Sequence, residues 1–285
     1  MTPTLPMLVD TNWLAAHLDD ADLRILDCSV GFVPVEGGVR LESGQAAWAA
    51  GHIPGSGFAD LLLELSDRDT KLPMMMPPAA QFAAAMGRYG VGPGTRVVLY
   101  DAGGHTWATR VWWMLRAMGF DAAAVLDGGF AKWKAEGRPV STQPPHTAPA
   151  TFQPQPRAGV FVAKQDVQAA LGSPVRLVNA LSADEHAGRV SRTPRPGRIP
   201  GSGNVPAASL VDPATGTYRP LDDLRSRLHD VGALDAPEVI AYCGGGIAAT
   251  SVAFTLLRLG APRVAVYDGS LVDWSSDPAM PMETG

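Results

Sequence analysis

Cys243 ends the apolar run Val239-Ile240-Ala241-Tyr242 and is followed by Gly244, Gly245 and Gly246, with a helical pattern beginning near Ala248. A strand that delivers a thiol to a glycine loop and a helix start is suited to nucleophilic chemistry. Glycines permit backbone angles closed to other residues. Successive N–H groups of such a loop can therefore turn toward one point and form an anion nest. The positive end of the helix dipole faces the same point. A thiol held there ionises more readily and becomes a better nucleophile. Phosphate, redox and sulfur chemistry all fit that description.

The neighbouring residues narrow the choice. Cysteine phosphatases hold phosphate with an arginine six positions beyond the cysteine, and Ala249 occupies that position here. No Gly-Lys-Ser/Thr follows the glycines, so the loop does not read as a nucleotide cradle. Cys28 lacks a glycine loop and reads as a small packing residue. Two cysteines in 285 residues do not make a disulfide framework, so a reducing cytoplasm is the expected setting and Cys243 a free thiol. A run of arginines, Arg189, Arg192, Arg195 and Arg198, precedes the Gly201 turn and could bring positive charge to an anionic ligand.

The elements that must position Cys243 occur twice. Val97-Val98-Leu99-Tyr100-Asp101-Ala102-Gly103-Gly104 resembles Val239-Ile240-Ala241-Tyr242-Cys243-Gly244-Gly245-Gly246 at an offset of 142. Gly51-His52-Ile53-Pro54-Gly55-Ser56-Gly57 matches Gly197-Arg198-Ile199-Pro200-Gly201-Ser202-Gly203, and Leu126-Asp127-Gly128-Gly129 matches Tyr267-Asp268-Gly269-Ser270. Each copy then reaches a tryptophan, Trp133 or Trp274. A repeat of this size is a duplicated domain. The prolines between Ser141 and Pro156 mark a linker, giving domains over 1–141 and 158–285 joined by residues 142–157.

Within each half, apolar runs predict strands at Leu23–Asp27, Val97–Tyr100 and Ala123–Leu126, and at Val175–Asn179, Val239–Tyr242 and Val264–Tyr267. Helical patterns over Thr109–Met118 and Ala249–Leu259 stop at Gly119 and Gly260. Alternating strand and helix implies an α/β fold with mostly parallel sheets, whose ligands bind beyond the carboxyl ends of the strands. The net charge of −5 gives no reason to expect nucleic acid. No apolar run approaches the roughly 20 residues that span a bilayer, and Met1 to Asp10 does not read as a secretory signal.

Arg110-Val111-Trp112-Trp113-Met114, Leu126-Asp127-Gly128-Gly129-Phe130, the Gly197–Ser202 motif and Tyr267-Asp268-Gly269-Ser270 with Trp274 resemble, in order, the signatures of the tandem-domain rhodanese family, the thiosulfate and 3-mercaptopyruvate sulfurtransferases. The resemblance implies two rhodanese-like domains, the first catalytically silent because Asp101 stands at its cysteine position. It implies that Cys243 takes a sulfane sulfur as a persulfide, that Gly244, Gly245, Gly246, Ile247, Ala248 and Ala249 stabilise it, and that cyanide or a thiol, including a protein thiol, removes it. No metal or organic cofactor is implied. The loop is neutral, as in the mercaptopyruvate type and unlike the Cys-Arg-Lys loop of the thiosulfate type. It departs from both types at Gly245 and Ala248, which replace a serine and a threonine. Asp60 aligns with a first-domain Asp of the family, and Met74 falls where its His stands. Asn179 begins the stretch that replaces the family's Asp-x-Arg, and Glu185 falls at a substrate arginine. Arg192, with Arg189 and Arg198 as further candidates, is then the expected anion-binding residue for a small anionic donor. These departures leave a non-catalytic binding module as the alternative.

Overall fold

In the computed structural model, which describes residues 5–36 and 38–285, the repeat becomes two parallel sheets of identical connectivity. The first half contains β1 (Leu8–Val9), α1 (Thr11–Ala16), β2 (Leu23–Asp27), β3 (Val30–Val35), β4 (Gly38–Ser43), α2 (Gln45–Ala50), β5 (Ser56–Phe58), α3 (Ala79–Arg88), β6 (Arg96–Tyr100), α4 (Thr106–Ala117), β7 (Ala123–Leu126) and α5 (Gly129–Ala135). The second contains β8 (Phe161–Val162), α6 (Lys164–Ala170), β9 (Arg176–Asn179), α7 (Ala183–His186), β10 (Gly203–Asn204), α8 (Leu221–His229), β11 (Val239–Tyr242), α9 (Ala248–Arg258), β12 (Val264–Tyr267) and α10 (Ser270–Ser276). The sheet orders are β1-β7-β6-β2-β5 and β8-β12-β11-β9-β10, parallel throughout. Among the described residues, the antiparallel hairpin β3–β4 has no counterpart in the second copy, where α7 and the arginine run occupy that stretch.

By contacts the chain separates into two units. One holds the residues up to Arg68, Met76–Arg157 and Ala214–Thr217; the other holds Asp69–Met75, Ala158–Pro213 and Tyr218–Gly285. In the first, Leu14, Ile25, Val98, Leu126 and Trp133 form the core on one face of the sheet, and in the second Val167, Ile199, Ile240, Leu271 and Trp274 do so. Gly119 and Gly260 end α4 and α9 in the left-handed region, at φ 83° and 86°, where a Cβ is disfavoured. The proline-rich segment is irregular but is not a free spacer. The N–H groups of Gln155 and Arg157 donate to the carbonyls of Met118 and Ala117, both at 2.8 Å, supplying donors that the last turn of a helix lacks. Phe152 packs against Phe82 and Phe120.

The repeated Gly-x-Ile-Pro-Gly-Ser-Gly motif anchors the strand that carries each loop. In the first unit Ile53 N donates to the Tyr100 hydroxyl (3.3 Å), and the Ser56 hydroxyl lies 2.7 Å from it. In the second, Ile199 N donates to the Tyr242 hydroxyl (3.1 Å), and Ser202 Oγ lies 2.5 Å from it. Each tyrosine immediately precedes the loop position, so the motif places the residue after it.

The copies differ at the matching ends of β2 and β9, Asp27 beside Tyr100 and Asn179 beside Tyr242. Burial pushes the Asp27 carboxyl up to about 6, against hydrogen bonds from Ser29 that pull it down, and Asp101 adds to the rise. Its native pKa exceeds the ordinary value, so the native state binds the proton more tightly. Stability contributed by protonated Asp27 is full below about pH 4 and is lost as pH rises through about 6. Asp27→Asn, the residue the second copy uses, is therefore expected to stabilise the protein at neutral pH by about 3 kcal/mol. Melting curves of both proteins should diverge near pH 8 and converge near pH 4. A pH-independent gap would contradict this.

Candidate active site

β11 leads directly into Cys243, which is only 2 % exposed. Ser270, the first residue of α10, holds the loop. Its Oγ accepts from Cys243 N and Gly246 N, each at 3.1 Å, and donates to Tyr267 O at 2.7 Å. Leu271 N and Val272 N donate to the carbonyls of Cys243 (3.0 Å) and Gly244 (2.8 Å). Ser270 adopts φ 48°, where the first copy has Gly129 at φ 56°. A serine there costs about 1–3 kcal/mol in backbone strain, which its three hydrogen bonds offset. Sequence reasoning used Ser270 only as part of a signature. The signal it left unread was a serine standing where the other copy keeps glycine.

The three glycines are not equivalent. Gly246 lies at φ 76° and needs the freedom of glycine. Gly244 and Gly245 have no positive φ, and a Cβ on either would meet open space. Of the three, one shapes the backbone and two leave room. α9 begins at Ala248, and Ile247 at its cap position gives no side-chain hydrogen bond to the first turn. In that turn Thr250 N donates to the Ile247 carbonyl at 3.0 Å, whereas the earliest N–H groups of a helix have no carbonyl four residues back within it.

The corresponding loop of the first unit shows what such N–H groups do. Asp101 Oδ1 accepts from Gly103 N (3.0 Å) and His105 N (2.9 Å). Its Oδ2 accepts from Trp107 N (3.1 Å) and Ala108 N (3.2 Å). A carboxylate thus fills the nest and extends α4 back to Thr106, three residues before the predicted start. At the offset of 142 these donors correspond to Gly245, Ile247, Ala249 and Thr250.

A cavity of ≈ 170 Å³ opens at Gly244, the residue after Cys243, and is lined by Leu181, Glu185, Val190, Ser191, Arg192, Thr193, Gly197, Gly244, Leu271 and Val272. Of the arginines expected to bind an anion, only Arg192 reaches this lining. Arg189 pairs with Asp184 at 2.6 Å on the surface. Arg198 corresponds to His52: both make a backbone bridge, to Glu283 and Ser141 respectively. Its guanidinium bonds the Glu283 carboxylate and the Gly285 carbonyl (2.7 Å), so the turn holds it away from a substrate role. Arg195 donates to the carbonyl of Ser275 (2.8 Å) in the last turn of α10 and to those of Asp277 (2.5 Å) and Met280 (2.9 Å) beyond it. Asn179 is buried, its Oδ1 accepting from Leu181 N at 2.8 Å, and it lies outside the cavity lining. Asp60 organises a turn of the first unit, accepting from Ser43 Oγ (2.6 Å), Leu62 N (3.1 Å) and Leu63 N (2.9 Å).

Cys28 is fully buried at the end of β2, and burial pushes its thiol well above the ordinary value, with Asp27 and Asp101 adding to the rise. Both cysteines are free thiols. Among the described residues no group of three or more His, Cys, Asp or Glu could hold a metal ion, and no helix is long and apolar enough to cross a membrane.

The Rhodanese-like domain family matches residues 10–136 and 164–277. A probable 3-mercaptopyruvate sulfurtransferase of Pseudomonas aeruginosa is 32% identical, covering 98% of this chain and 98% of its own. The human 3-mercaptopyruvate sulfurtransferase is 33% identical over 94% of this chain and 91% of its own. The crystal structure of the 3-mercaptopyruvate sulfotransferase SseA from Escherichia coli superimposes with a TM-score of 0.82 at 31% identity, covering 93% of this chain and 98% of that one.

Proposed function

The chain belongs to the rhodanese family and is a sulfurtransferase, and from that premise we propose a two-step transfer centred on Cys243. The Cys243 thiolate attacks the outer sulfur of a donor and the bond behind that sulfur breaks, S–C in 3-mercaptopyruvate or S–S in thiosulfate, where the pair leaves with sulfite. For 3-mercaptopyruvate the leaving group is the pyruvate enolate, which takes up a proton, while Cys243 keeps the sulfur as a persulfide. An acceptor thiolate or cyanide then attacks the outer sulfur, and the S–S pair returns to Cys243. The N–H groups of Gly245, Ile247 and Ala249, with the rest of Gly244–Ala249 as their frame, stabilise the persulfide's charge.

The observation that carries this reading is the Asp101 carboxylate in the duplicate loop, bonded by four backbone N–H groups. A loop of the same length and helix register supports an anion, and in the second copy the residue at that place is a thiol. Asp101 for the same reason makes the first domain silent. The uncharged Gly244–Ala249 stretch supplies no cation for the thiosulfate dianion, so 3-mercaptopyruvate is the preferred donor, its single carboxylate meeting Arg192. Asn179 and Asp60 act only on the surrounding frame. Free thiols suit a reducing cytoplasm.

Intact mass after incubation with each donor tests the proposal. One added sulfur is expected on the peptide containing Cys243 and none on that containing Cys28, with 3-mercaptopyruvate loading faster than thiosulfate. Sulfur on neither peptide, from either donor, would overturn it.

A further inference from the structure

We propose that Glu185 and Arg192 together read a zwitterion, so that the preferred sulfur acceptor is an α-amino thiol carrying both an ammonium and a carboxylate. The inference rests on the Cys243 persulfide reading and adds the identity of the molecule that removes the sulfur. Glu185 and Arg192 line the cavity that Gly244 also lines, so a ligand touching both lies beside the residue that follows Cys243. Arg192 Nε stands 3.8 Å from Glu185 Oε1. That exceeds hydrogen-bond length, so the pair is near but not closed.

The two side chains are held differently. Glu185 Oε2 accepts from Ser182 Oγ at 2.7 Å, which fixes the carboxylate and leaves Oε1 toward the arginine. The Glu185 side chain is 17 % exposed, whereas that of Arg192 is 83 % exposed and able to adjust. A carboxylate ligand alone, the donor's included, gains from Arg192 but also faces Glu185, and so is held less tightly than a zwitterion. An ammonium alone would gain from Glu185 but face Arg192. A molecule carrying both charges on one carbon completes an alternating square with the pair and meets no like charge. The walls of Val190, Leu271 and Val272 accept a short aliphatic stem. The acceptor's thiolate attacks the outer sulfur of the Cys243 persulfide, the S–S bond breaks with its pair returning to Cys243, and the acceptor leaves as its own persulfide.

Three thiols separate the contributions: L-cysteine carries both charges, 3-mercaptopropionate only the carboxylate, and cysteamine only the ammonium. With sulfur-loaded protein, the KM of L-cysteine should lie about tenfold below those of the other two, the worth of one charge-assisted hydrogen bond. Glu185→Gln retains the capping partner of Ser182, because glutamine serves in that box as well as glutamate. It should raise the KM for L-cysteine about tenfold and lower that for 3-mercaptopropionate. Arg192→Gln should raise both and lower that for cysteamine. The same comparison by calorimetric binding of L-serine, 3-hydroxypropionate and ethanolamine needs no persulfide. It therefore decides this inference even if Cys243 carries no sulfur, and loading measured by mass decides the other. If Glu185→Gln shifts L-serine and 3-hydroxypropionate in the same direction, or the wild-type protein binds the three alike, Glu185 does not read an ammonium and the proposal fails.

Discussion

Cys243→Ser protein is expected to fold and to transfer no sulfur, with turnover to cyanide falling by a factor on the order of 10⁴ or more, as loss of a covalent nucleophile produces. The hydroxyl is close in size to the thiol, so the bonds from Cys243 N to Ser270 and from Leu271 N to Cys243 O are retained. The nest then surrounds a group that neither ionises near neutrality nor accepts a sulfane sulfur. Cys28→Ala is the control. Its sulfur is buried and its thiol held protonated, so its loss should lower stability modestly and leave transfer intact. Thiocyanate release with each donor, alongside melting curves of the three proteins, measures both effects. Substantial transfer by Cys243→Ser would remove Cys243 from the chemistry.

Asp101→Ala is expected to cost the first domain about 3–5 kcal/mol, because four N–H groups lose a charged acceptor at once. His105 and Ala108 are buried, so water cannot replace the carboxylate at their amides. The start of α4 also loses the negative charge that opposes its dipole. Asp101→Asn keeps one oxygen for two of the four donors and should lose about half as much. A chain of two domains need not unfold in one transition. Amide exchange at Gly103, His105, Trp107 and Ala108 is thus the direct readout, with denaturant titration beside it. Native protection at those amides in Asp101→Ala would refute the account.

The parts of the fold written in local patterns were legible from the sequence. β2, β7, β11 and β12 have the bounds expected of their apolar runs, and Gly119 and Gly260 end their helices. What escaped was set by partners distant in the chain. The start of α4 depends on the Asp101 side chain, not on helical periodicity. The arginine run displayed its charges but not the carbonyls and carboxylates some 80 residues downstream that engage Arg195 and Arg198. The proline-rich segment showed its lack of periodicity but not that its amides meet the open carbonyls of α4. Ser270 was visible only as a difference between copies, and its grip on the Cys243 loop required the turn of α10 to be seen.

The unequal glycines of the Cys243 loop bear on how such a protein can change. Gly246 sets the backbone, while Gly244 and Gly245 stand before open space in ordinary conformations. Of the three glycines, one therefore fixes the backbone of the loop, and two neighbouring positions can take on side chains without disturbing it. A lineage can exchange one partner molecule for another by single substitutions at 244 and 245, in small viable steps, while the nucleophile and its amide frame stay fixed.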